Sequence, residues 1–362
     1  HIHLFILLFA VSSLLVHSPS DFDAYAAVDT WTDATTTAVG STMMKGVSMG
    51  DANNGVAVGA SGQIVYTTDG GKNWTDATTT NVPSSKTMWG VSMSDANNGV
   101  AVGQSSGGVT QMVFTTDGGD TWTDATTTNT EGLTMRGVSM SDASNGVAVG
   151  YSGRIVYTTN GGVDWTEATT TNVGIKNMYG VSMSDANNGV AVGESSQLIG
   201  GVTQMVFTTD GGDTWTDATT TNTEGLTMRG VSMSDASNGV AVGYSGRIVY
   251  TTNGGVDWTE ATTTNVGLSA MQGVSMSDAN NGVAVGLSGQ IIYTTDGGDT
   301  WTDATTTNVG NTQMTGVSMI DANNGVAVGH AGQIVFTDTV SSGGSGGSGG
   351  SSDALINPNP YL

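Results

Sequence analysis

The chain has 362 residues, a length that repeat proteins and all-β folds often devote to one domain. It carries 31 Asp and Glu residues against 8 Lys and Arg residues, and the formal net charge of −23 predicts a strongly acidic surface. Nucleic acids and anionic membranes bind through Lys and Arg side chains that neutralise phosphates, so functions that depend on such polyanions are excluded. The chain has no cysteine, so neither disulfides nor thiolate metal sites contribute to the fold.

An apolar N-terminal segment covers residues 1–26. Its apolar run, residues 1–16, is short for a membrane span, and an Ala-Tyr-Ala sequence follows it. We therefore expect a signal peptide cleaved after Ala26 and a secreted or cell-surface protein. A retained assembly helix, as in pilin-like subunits, stays open because the chain begins with His1, although Phe5 replaces the acidic fifth residue of bacterial pilins. Only this segment, if retained, would contact a membrane.

An internal repeat organises the rest of the chain. Residues 100–173 recur almost verbatim at 193–266, which indicates the duplication of a two-unit block. The phrase Gly-Val-Ser-Met begins at Gly46, Gly90, Gly137, Gly180, Gly230, Gly273 and Gly316. This spacing gives each of the seven units room for four short strands, the size of a propeller blade.

Strand and turn signals alternate within each unit. In the first unit they predict strands at Met44–Met49, at Gly55–Gly59 and over residues 63–68, and a fourth strand from Trp74 that ends in Ala-Thr-Thr-Thr. Between the third and fourth strands, Asp69-Gly supplies the positive φ angles of a tight hairpin.

This Thr-Asp-Gly-Gly turn before a tryptophan resembles the Asp-box, or BNR, pattern of sialidases, sortilin-type propellers and Ycf48-like photosystem II assembly factors. The whole unit is most similar to the last group. The predicted structural residues of these turns are Asp69, Trp74, Asp117, Trp122, Asn160, Trp165, Asp210, Trp215, Asn253, Trp258, Asp296 and Trp301. The resemblance covers about residues 27–340 and implies an all-β, seven-bladed β-propeller of four-stranded blades.

The two ends of the repeat array complement each other. Residues 31–37 form a fourth strand without the preceding three, and the last unit ends at residues 334–337 without a turn or a tryptophan. An unpaired terminal strand is a template for unwanted pairing, so a ring must cover its edges. We therefore expect the N-terminal strand, with Trp31, to complete the last blade, whose final strand contains Phe336.

Paired carboxylates carry out acid and base chemistry in glycoside hydrolysis, and four of the turns supply an aspartate. However, Asn160 and Asn253 replace it elsewhere without the charge, so we expect these residues to accept hairpin hydrogen bonds and the tryptophans to pack between blades. The arginines Arg136, Arg154, Arg229 and Arg247 are two pairs copied by the duplication, and copies are not expected to form a converged site. The histidines His1, His3, His17 and His330 form no cluster. We predict no enzyme activity, cofactor or metal; a glycoside hydrolase or sialidase-like enzyme is the least favoured alternative.

Variation among the units gathers on one face of the predicted ring. It lies before the first strand and after the second strand of each unit, and we call this side the decorated face and the opposite side the constant face. The binding residues predicted on the decorated face are Lys45, Trp89, Arg136, Tyr179, Arg229, Gln272, Tyr151, Glu194, Tyr244 and His330. Aromatic and cationic side chains are suited to binding a protein or a glycan. The alternative interpretation is that these positions lie in loops that tolerate sequence variation. Two predicted loops, residues 104–111 and 194–204, lie on the same face.

The C-terminal segment changes composition. Residues 341–352 are a Gly/Ser linker, and residues 353–362 form a short apolar, proline-bearing peptide that is suited to docking on a neighbouring subunit or is a disordered tail. We predict a non-enzymatic, extracellular structural or interaction protein that self-assembles through its termini into a fibre, a pilus-like appendage or a surface array. The alternative is a secreted binding module for a glycan or for an envelope or photosynthetic assembly partner.

Overall fold

The structure, a computed structural model, describes residues 30–36, 38–78, 81–169, 173–195, 203–262, 267, 269–306 and 309–337. These residues form a closed ring of seven antiparallel β-sheets, the blades, which confirms the predicted all-β, seven-bladed propeller. The predicted segments 1–26, 341–352 and 353–362 lie outside the described residues.

The strands follow one another within each blade. Strand β1 is Thr30–Asp33. Blade 1 contains β2 (Met44–Met49), β3 (Gly55–Gly59), β4 (Ile64–Thr67) and β5 (Thr75–Asp76). Blade 2 contains β6 (Met88–Met93), β7 (Gly99–Ser106), β8 (Val109–Thr115) and β9 (Thr123–Asp124). Blade 3 contains β10 (Met135–Met140), β11 (Gly146–Gly150), β12 (Ile155–Thr158) and β13 (Thr166–Glu167).

The remaining blades repeat this order. Blade 4 contains β14 (Met178–Met183), β15 (Gly189–Ser195), β16 (Thr203–Thr208) and β17 (Thr216–Asp217). Blade 5 contains β18 (Met228–Met233), β19 (Gly239–Gly243), β20 (Ile248–Thr251) and β21 (Thr259–Glu260). Blade 6 contains β22 (Met271–Met276), β23 (Gly282–Gly286), β24 (Ile291–Thr294) and β25 (Thr302–Asp303), followed by β26 (Thr305–Thr306). Blade 7 contains β27 (Met314–Met319), β28 (Gly325–Gly329) and β29 (Ile334–Thr337), and its fourth strand is β1. Short 3-10 turns follow the second strands at Ala60–Gly62, Tyr151–Gly153, Tyr244–Gly246, Leu287–Gly289 and His330–Gly332.

The hydrophobic core consists of layers between adjacent blades. The second strand of each blade, Gly-Val-Ala-Val-Gly, is buried along its whole length because it lies in the middle of its sheet. In one layer, Val56 and Val58 of blade 1 pack against Met88, Val113 and Trp122 of blade 2. Seven such clusters hold the ring together, so the repeat encodes an interface as well as a blade.

The serine of Gly-Val-Ser-Met links each blade to the next. The Met93 backbone N–H donates a hydrogen bond to Ser48 Oγ at 2.9 Å, and equivalent bonds join every successive pair of blades. The Met49 N–H donates to Ser318 Oγ at 3.0 Å, which connects blade 1 back to blade 7. The motif that reveals the repeat in the sequence therefore also provides the hydrogen bond between neighbouring blades.

The ring closes where its two ends meet, as predicted. Strand β1 pairs antiparallel with β29, and Thr32 lies opposite Phe336 in this ladder. Trp31 is only 1% exposed and packs between blades 6 and 7. The N-terminal strand thus supplies the missing fourth strand of blade 7.

Two predicted elements differ in the structure. The fourth strands are two residues long in six blades, and the threonines that follow them turn to the next blade: Thr35 bridges Asn73, and Thr127 bridges Asp164. The prediction that these strands end in the threonine runs is therefore wrong, because the backbone groups of the threonines find partners in the neighbouring blade.

The prediction of a loop over residues 104–111 is also wrong. Strands β7 and β8 extend into this segment, and a tight turn at Gly107-Gly108 joins them. Glycines with positive φ allow such a tight connection. Of the second predicted loop, residues 196–202 lie outside the described part of the chain.

Candidate functional site on the decorated face

Each first strand carries a β-bulge at the residue before Gly-Val-Ser-Met. In blade 1, Met44 pairs with Gly59 and Gly46 with Val58, so Lys45 is left without a partner in the ladder. A bulge re-aims the side chain of the extra residue. The seven bulged residues are Lys45, Trp89, Arg136, Tyr179, Arg229, Gln272 and Thr315. One of the two positions at which the units vary is therefore the position that the backbone turns out of the sheet.

The bulged side chains surround one cavity on the ring axis, which we call the axial cavity. The first strands approach closely, since a Cβ added at Gly46 would lie 3.2 Å from the Trp89 carbonyl oxygen. The cavity encloses about 390 Å³. Its lining residues are Lys45, Trp89, Arg136, Tyr179, Arg229, Tyr244, Ala270, Gln272, Leu287, Gln313, Thr315 and His330. Eight of the ten predicted binding residues are in this set.

Cations and aromatic rings alternate around the axial cavity from blade 1 to blade 5. Lys45 Nζ lies 5.2 Å from the Trp89 ring centroid, and Arg136 Cζ lies 3.7 Å from the same centroid. Arg229 Cζ lies 4.6 Å from the Tyr179 centroid. Each such contact contributes roughly 0.5–2 kcal/mol, depending on its desolvation. The rings hold the guanidinium groups in place without neutralising them.

Tyr151 and Tyr244 extend this ladder. Arg136 Nη1 donates a hydrogen bond to the Tyr151 hydroxyl at 3.4 Å, and Arg229 Nη2 donates to the Tyr244 hydroxyl. Arg136 and Arg229 are copies from the duplicated block, and the expectation that such copies would not converge is wrong for this pair. Blades 3 and 5 face the same axis, so equivalent residues of the two copies meet there.

The other two arginines lie at the periphery and are neutralised. Arg154 forms ion pairs with Glu131 and Glu167, and Arg247 repeats the arrangement with Glu224 and Glu260.

In contrast, no carboxylate of the described residues forms an ion pair with Lys45, Arg136 or Arg229. Lys45 Nζ instead lies 2.8 Å from the thioether sulfur of Met43, a weak acceptor. Glu194 lies nearby, but its Oε2 accepts a hydrogen bond from the Asn177 backbone N–H at 3.3 Å.

The electrostatics of the axial cavity reflect this imbalance. Burial lowers the pKa of Lys45, and the charge of Arg136 lowers it further. Burial also lowers the pKa of Arg136 and of His330, and Lys45 contributes to the second shift. Burial raises the pKa of the Tyr179 hydroxyl, with the charge of Glu194 adding to the effect. The cavity therefore concentrates positive charge that the described residues do not compensate.

Three polar atoms of the cavity lining are buried and have no hydrogen-bond partner. They are Trp89 Nε1, Arg229 Nε and His330 Nε2. A buried N–H group without an acceptor costs about 1–3 kcal/mol. Indole and guanidinium nitrogens can only donate, so this part of the cavity offers donors to an external acceptor.

The Asp/Asn-Gly-Gly turns lie on the constant face, and hydrogen bonds within each turn occupy the Asp or Asn side chain. Asp69 Oδ1 accepts bonds from the Thr67 hydroxyl and the Asn73 backbone N–H, both at 2.9 Å. Burial acts to raise the pKa of Asp69, but bonds from Asn73 and Thr67 outweigh it and hold this pKa below its usual value. Asn160 Oδ1 accepts the same two kinds of bond, which explains why Asn can replace Asp here.

The tryptophans that follow these turns are buried between blades. The Trp74 indole N–H donates to the Gly71 carbonyl at 2.9 Å, and the other five turns repeat this bond. Gly71 has a φ of +89°, and a Cβ added there would lie 2.5 Å from Val326 of the preceding blade, so this position requires glycine. Trp31 has no such turn before it, and its buried indole N–H has no partner.

Four residues that line the axial cavity are not among the ten predicted binding residues, and two of them, Leu287 and Thr315, occupy the same variable repeat positions as the predicted ones. The other two fall outside these positions. Ala270 and Gln313 lie two positions before the bulged residues of blades 6 and 7. In the sequence, only their closeness to the variable bulged positions could have indicated these two residues.

Among the described residues, no group of three or more His, Asp or Glu side chains is arranged to hold a metal ion. No helix in the described part of the chain is long and apolar enough to cross a membrane.

The ring and its axial cavity define this chain as a seven-bladed β-propeller with a cationic, aromatic centre on one face. No protein-family model and no curated protein matches the chain. YCF48 bound to D1 peptide is a similar solved structure, with a TM-score of 0.65, 18% identity, and coverage of 85% of this chain and 94% of that chain. YCF48 from Cyanidioschyzon merolae gives a TM-score of 0.66 at 18% identity, covering 86% of this chain and 99% of that chain. A streptogramin B lyase gives 0.65 at 13% identity, covering 85% and 97%. These likenesses establish the fold, and a fold shared with a lyase does not by itself decide between binding and catalysis.

Proposed function

We propose that this chain is a non-enzymatic interaction module of the cell exterior whose decorated face binds a protein partner. The observation that carries the proposal is the axial cavity, where side chains from all seven blades meet around charges that no described carboxylate pairs with. Aromatic residues and arginine are the residue types that dominate binding energy at protein interfaces. A protein of the same fold, YCF48, has been solved with a bound peptide, which supports a protein partner; a glycan is the alternative.

The absence of catalysis is part of this proposal. Four of the Asp/Asn-Gly-Gly turns supply an aspartate, and two supply Asn in the same hydrogen-bonded arrangement. A catalytic carboxylate would have to differ from its copies, and these do not. A glycan-hydrolysis screen tests the point directly, because turnover abolished by one carboxylate substitution would contradict the proposal.

The binding proposal is tested by affinity capture from the secreted and envelope fractions of the source cells. We expect the W89A/R136A/Y179A variant to lose the captured partner. The matched control is N53A/N97A/N187A, which changes three exposed side chains on the constant face, where two units naturally carry Ser144 and Ser237. Partner capture that survives the first variant, or that is lost equally in the control, would contradict the proposal.

Self-assembly through the termini is a second candidate function. The observation that favours it is the pairing of β1 with β29, which places the first and last described residues of the ring, Thr30 and Thr337, in the same blade. Two assembly segments attached to one blade would give a subunit a single point of attachment to its neighbours.

Deletion of residues 341–362, or of the segment before Ala27, is expected to leave a folded monomer that no longer polymerises. Light scattering and electron microscopy measure the polymer, and the melting temperature reports folding. Assembly that is unaffected by both deletions would exclude this function.

A further inference from the structure

Resting on the proposed function, we propose that the axial cavity binds a single carboxylate group of the protein partner, an Asp or Glu side chain or a chain terminus. Arg136 and Arg229 supply the charged donors, and Lys45 adds to the field. Trp89 and Tyr179 hold the guanidinium groups by stacking on them. The inference goes beyond a binding face, because it names the chemical group that the face recognises.

The first argument comes from charge. The chain has 31 acidic residues against 8 Lys and Arg, so a carboxylate partner for any cation is readily available within it. Arg154 and Arg247 each bind two glutamates at the periphery. Lys45, Arg136 and Arg229 nevertheless cluster without one, although separating like charges would be more favourable. An anion from another molecule would compensate this cluster.

The second argument comes from the unused donors. Trp89 Nε1 and Arg229 Nε are buried and have no acceptor among the described residues. The Nε atoms of Arg154 and Arg247 are equally unpaired, so the Trp89 indole N–H is the donor that distinguishes the axial cavity from the surroundings of the peripheral arginines. A carboxylate is an acceptor with about four lone-pair sites and can take two donors side by side from one arginine. Such an acceptor would satisfy donors that the folded chain leaves empty.

The third argument comes from size and from the long-range field. A cavity of about 390 Å³ is larger than a bare ion requires and fits a group the size of one residue. The net charge of −23 repels polyanions, while a single carboxylate can come within a Debye length of the cationic centre. Tyr151 and Tyr244, 36% and 37% exposed, offer apolar surface at the rim for the adjoining residues of a polypeptide.

A random heptapeptide library that contains peptides with free and with amidated carboxyl termini tests the inference, with the full-length protein as bait. We expect selection to enrich Asp, Glu or an unblocked terminus. Isothermal titration calorimetry of an enriched peptide should show roughly tenfold or greater weakening when its carboxylate is replaced by the amide, as expected for a charge-assisted hydrogen bond. The R136Q/R229Q variant should lose affinity to a similar extent.

The R154Q/R247Q variant is the matched control, because it removes two arginines with the same change in net charge from the periphery. Its affinity for the peptide should equal that of the wild type. Equal binding of the amide peptide, or equal losses in the two double variants, would overturn the inference.

Two further outcomes separate this inference from the proposed function. If neither inorganic phosphate nor sulfate displaces a bound peptide, and the selected peptides carry no carboxylate, the axial cavity does not bind anions. If partner capture depends on Trp89 and Tyr179 but survives R136Q/R229Q, the decorated face binds a partner and the carboxylate inference alone fails.

Discussion

The four arginines of this chain divide into two pairs with opposite environments. Arg154 and Arg247 lie at the periphery, 11% exposed, and each is held between two glutamates. Arg136 and Arg229 lie on the ring axis, where they stack on aromatic rings and form no ion pair with a carboxylate in the described part of the chain. The duplicated block copied both kinds, so the difference reflects position in the blade rather than sequence history.

This contrast separates two parts of the molecule. The constant part, made of inter-blade layers, serine bonds and turns, is held together by hydrogen bonds and apolar contacts, although Trp31 Nε1 and Asn323 Oδ1 are buried there without a partner among the described residues. The axial cavity leaves donors and charges unsatisfied. Functional sites commonly retain such locally unfavourable groups at the expense of stability, and the following variants test whether the two parts behave in this way.

The largest difference in the free energy of unfolding is expected between the alanine variants of two tryptophans. Trp165 is 1% exposed within an inter-blade layer, so W165A should lower the free energy of unfolding by about 3–5 kcal/mol. Trp89 is half-buried in the axial cavity, and W89A should cost about 1–2 kcal/mol, because the loss of two cation–π contacts is partly offset by removal of a buried indole N–H without an acceptor. Chemical denaturation measures both values. Similar losses would show that the axial cavity is part of the structural core.

The second-largest difference in the free energy of unfolding is expected between variants of the peripheral and the axial arginines. R154Q breaks two ion pairs with exposed glutamates, and we expect a loss of about 1–2 kcal/mol after allowing for solvent screening. R136Q removes an uncompensated charge together with its cation–π contacts, and the two effects should cancel to within about 0.5 kcal/mol. Melting temperatures of the two variants compare them directly. A larger loss in R136Q would contradict the assignment of unsatisfied charge to the axis.

Variants of two aspartates in the constant part should also differ in their free energy of unfolding. Asp51 Oδ1 accepts the Asn53 and Asn54 backbone N–H groups at 2.7 Å each, so D51A should cost about 1 kcal/mol. D69N should change the free energy of unfolding by less than about 0.5 kcal/mol, because Asn160 already makes the equivalent bonds. A large loss in D69N would mean that the charge itself has a role at this turn.

The smallest expected effect is the pH dependence contributed by His330. Burial and Lys45 lower its pKa, so the unfolded chain binds the proton more readily than the folded chain. The wild type should therefore lose stability relative to H330Q as the pH falls below about 6.5, with no further change below the folded-state pKa. Melting curves of both proteins across this range measure the difference. A difference of the opposite sign would place an anion beside His330.

The sequence was sufficient for the fold because each unit contains its own strand and turn signals. Asp-Gly hairpins and alternating apolar residues act over a few residues, and the closure of blade 7 followed from a strand count at the two ends. The extent of the fourth strands could not be predicted, since Thr35 and Thr127 pair with the neighbouring blade rather than with their own.

The candidate site was predictable only as a set of variable positions. Sequence comparison of the units placed Lys45, Trp89 and Arg136 on one face, but Ala270 and Gln313 showed no pattern of their own. The repeat position distinguishes Arg136 from Arg154, but the sequence did not show that only Arg154 pairs with glutamates, because the environment of each arginine depends on which residues the ring brings beside it.

The amino-acid sequence by itself thus determined the blade, the number of blades and the closure, because these depend on local turn chemistry and on repetition. The tertiary structure alone decided that Arg136 and Arg229 from separate blades share one cavity while Arg154 and Arg247 do not. The physical reason is the bulge in each first strand, which turns one residue per blade towards an axis that exists only in the closed ring.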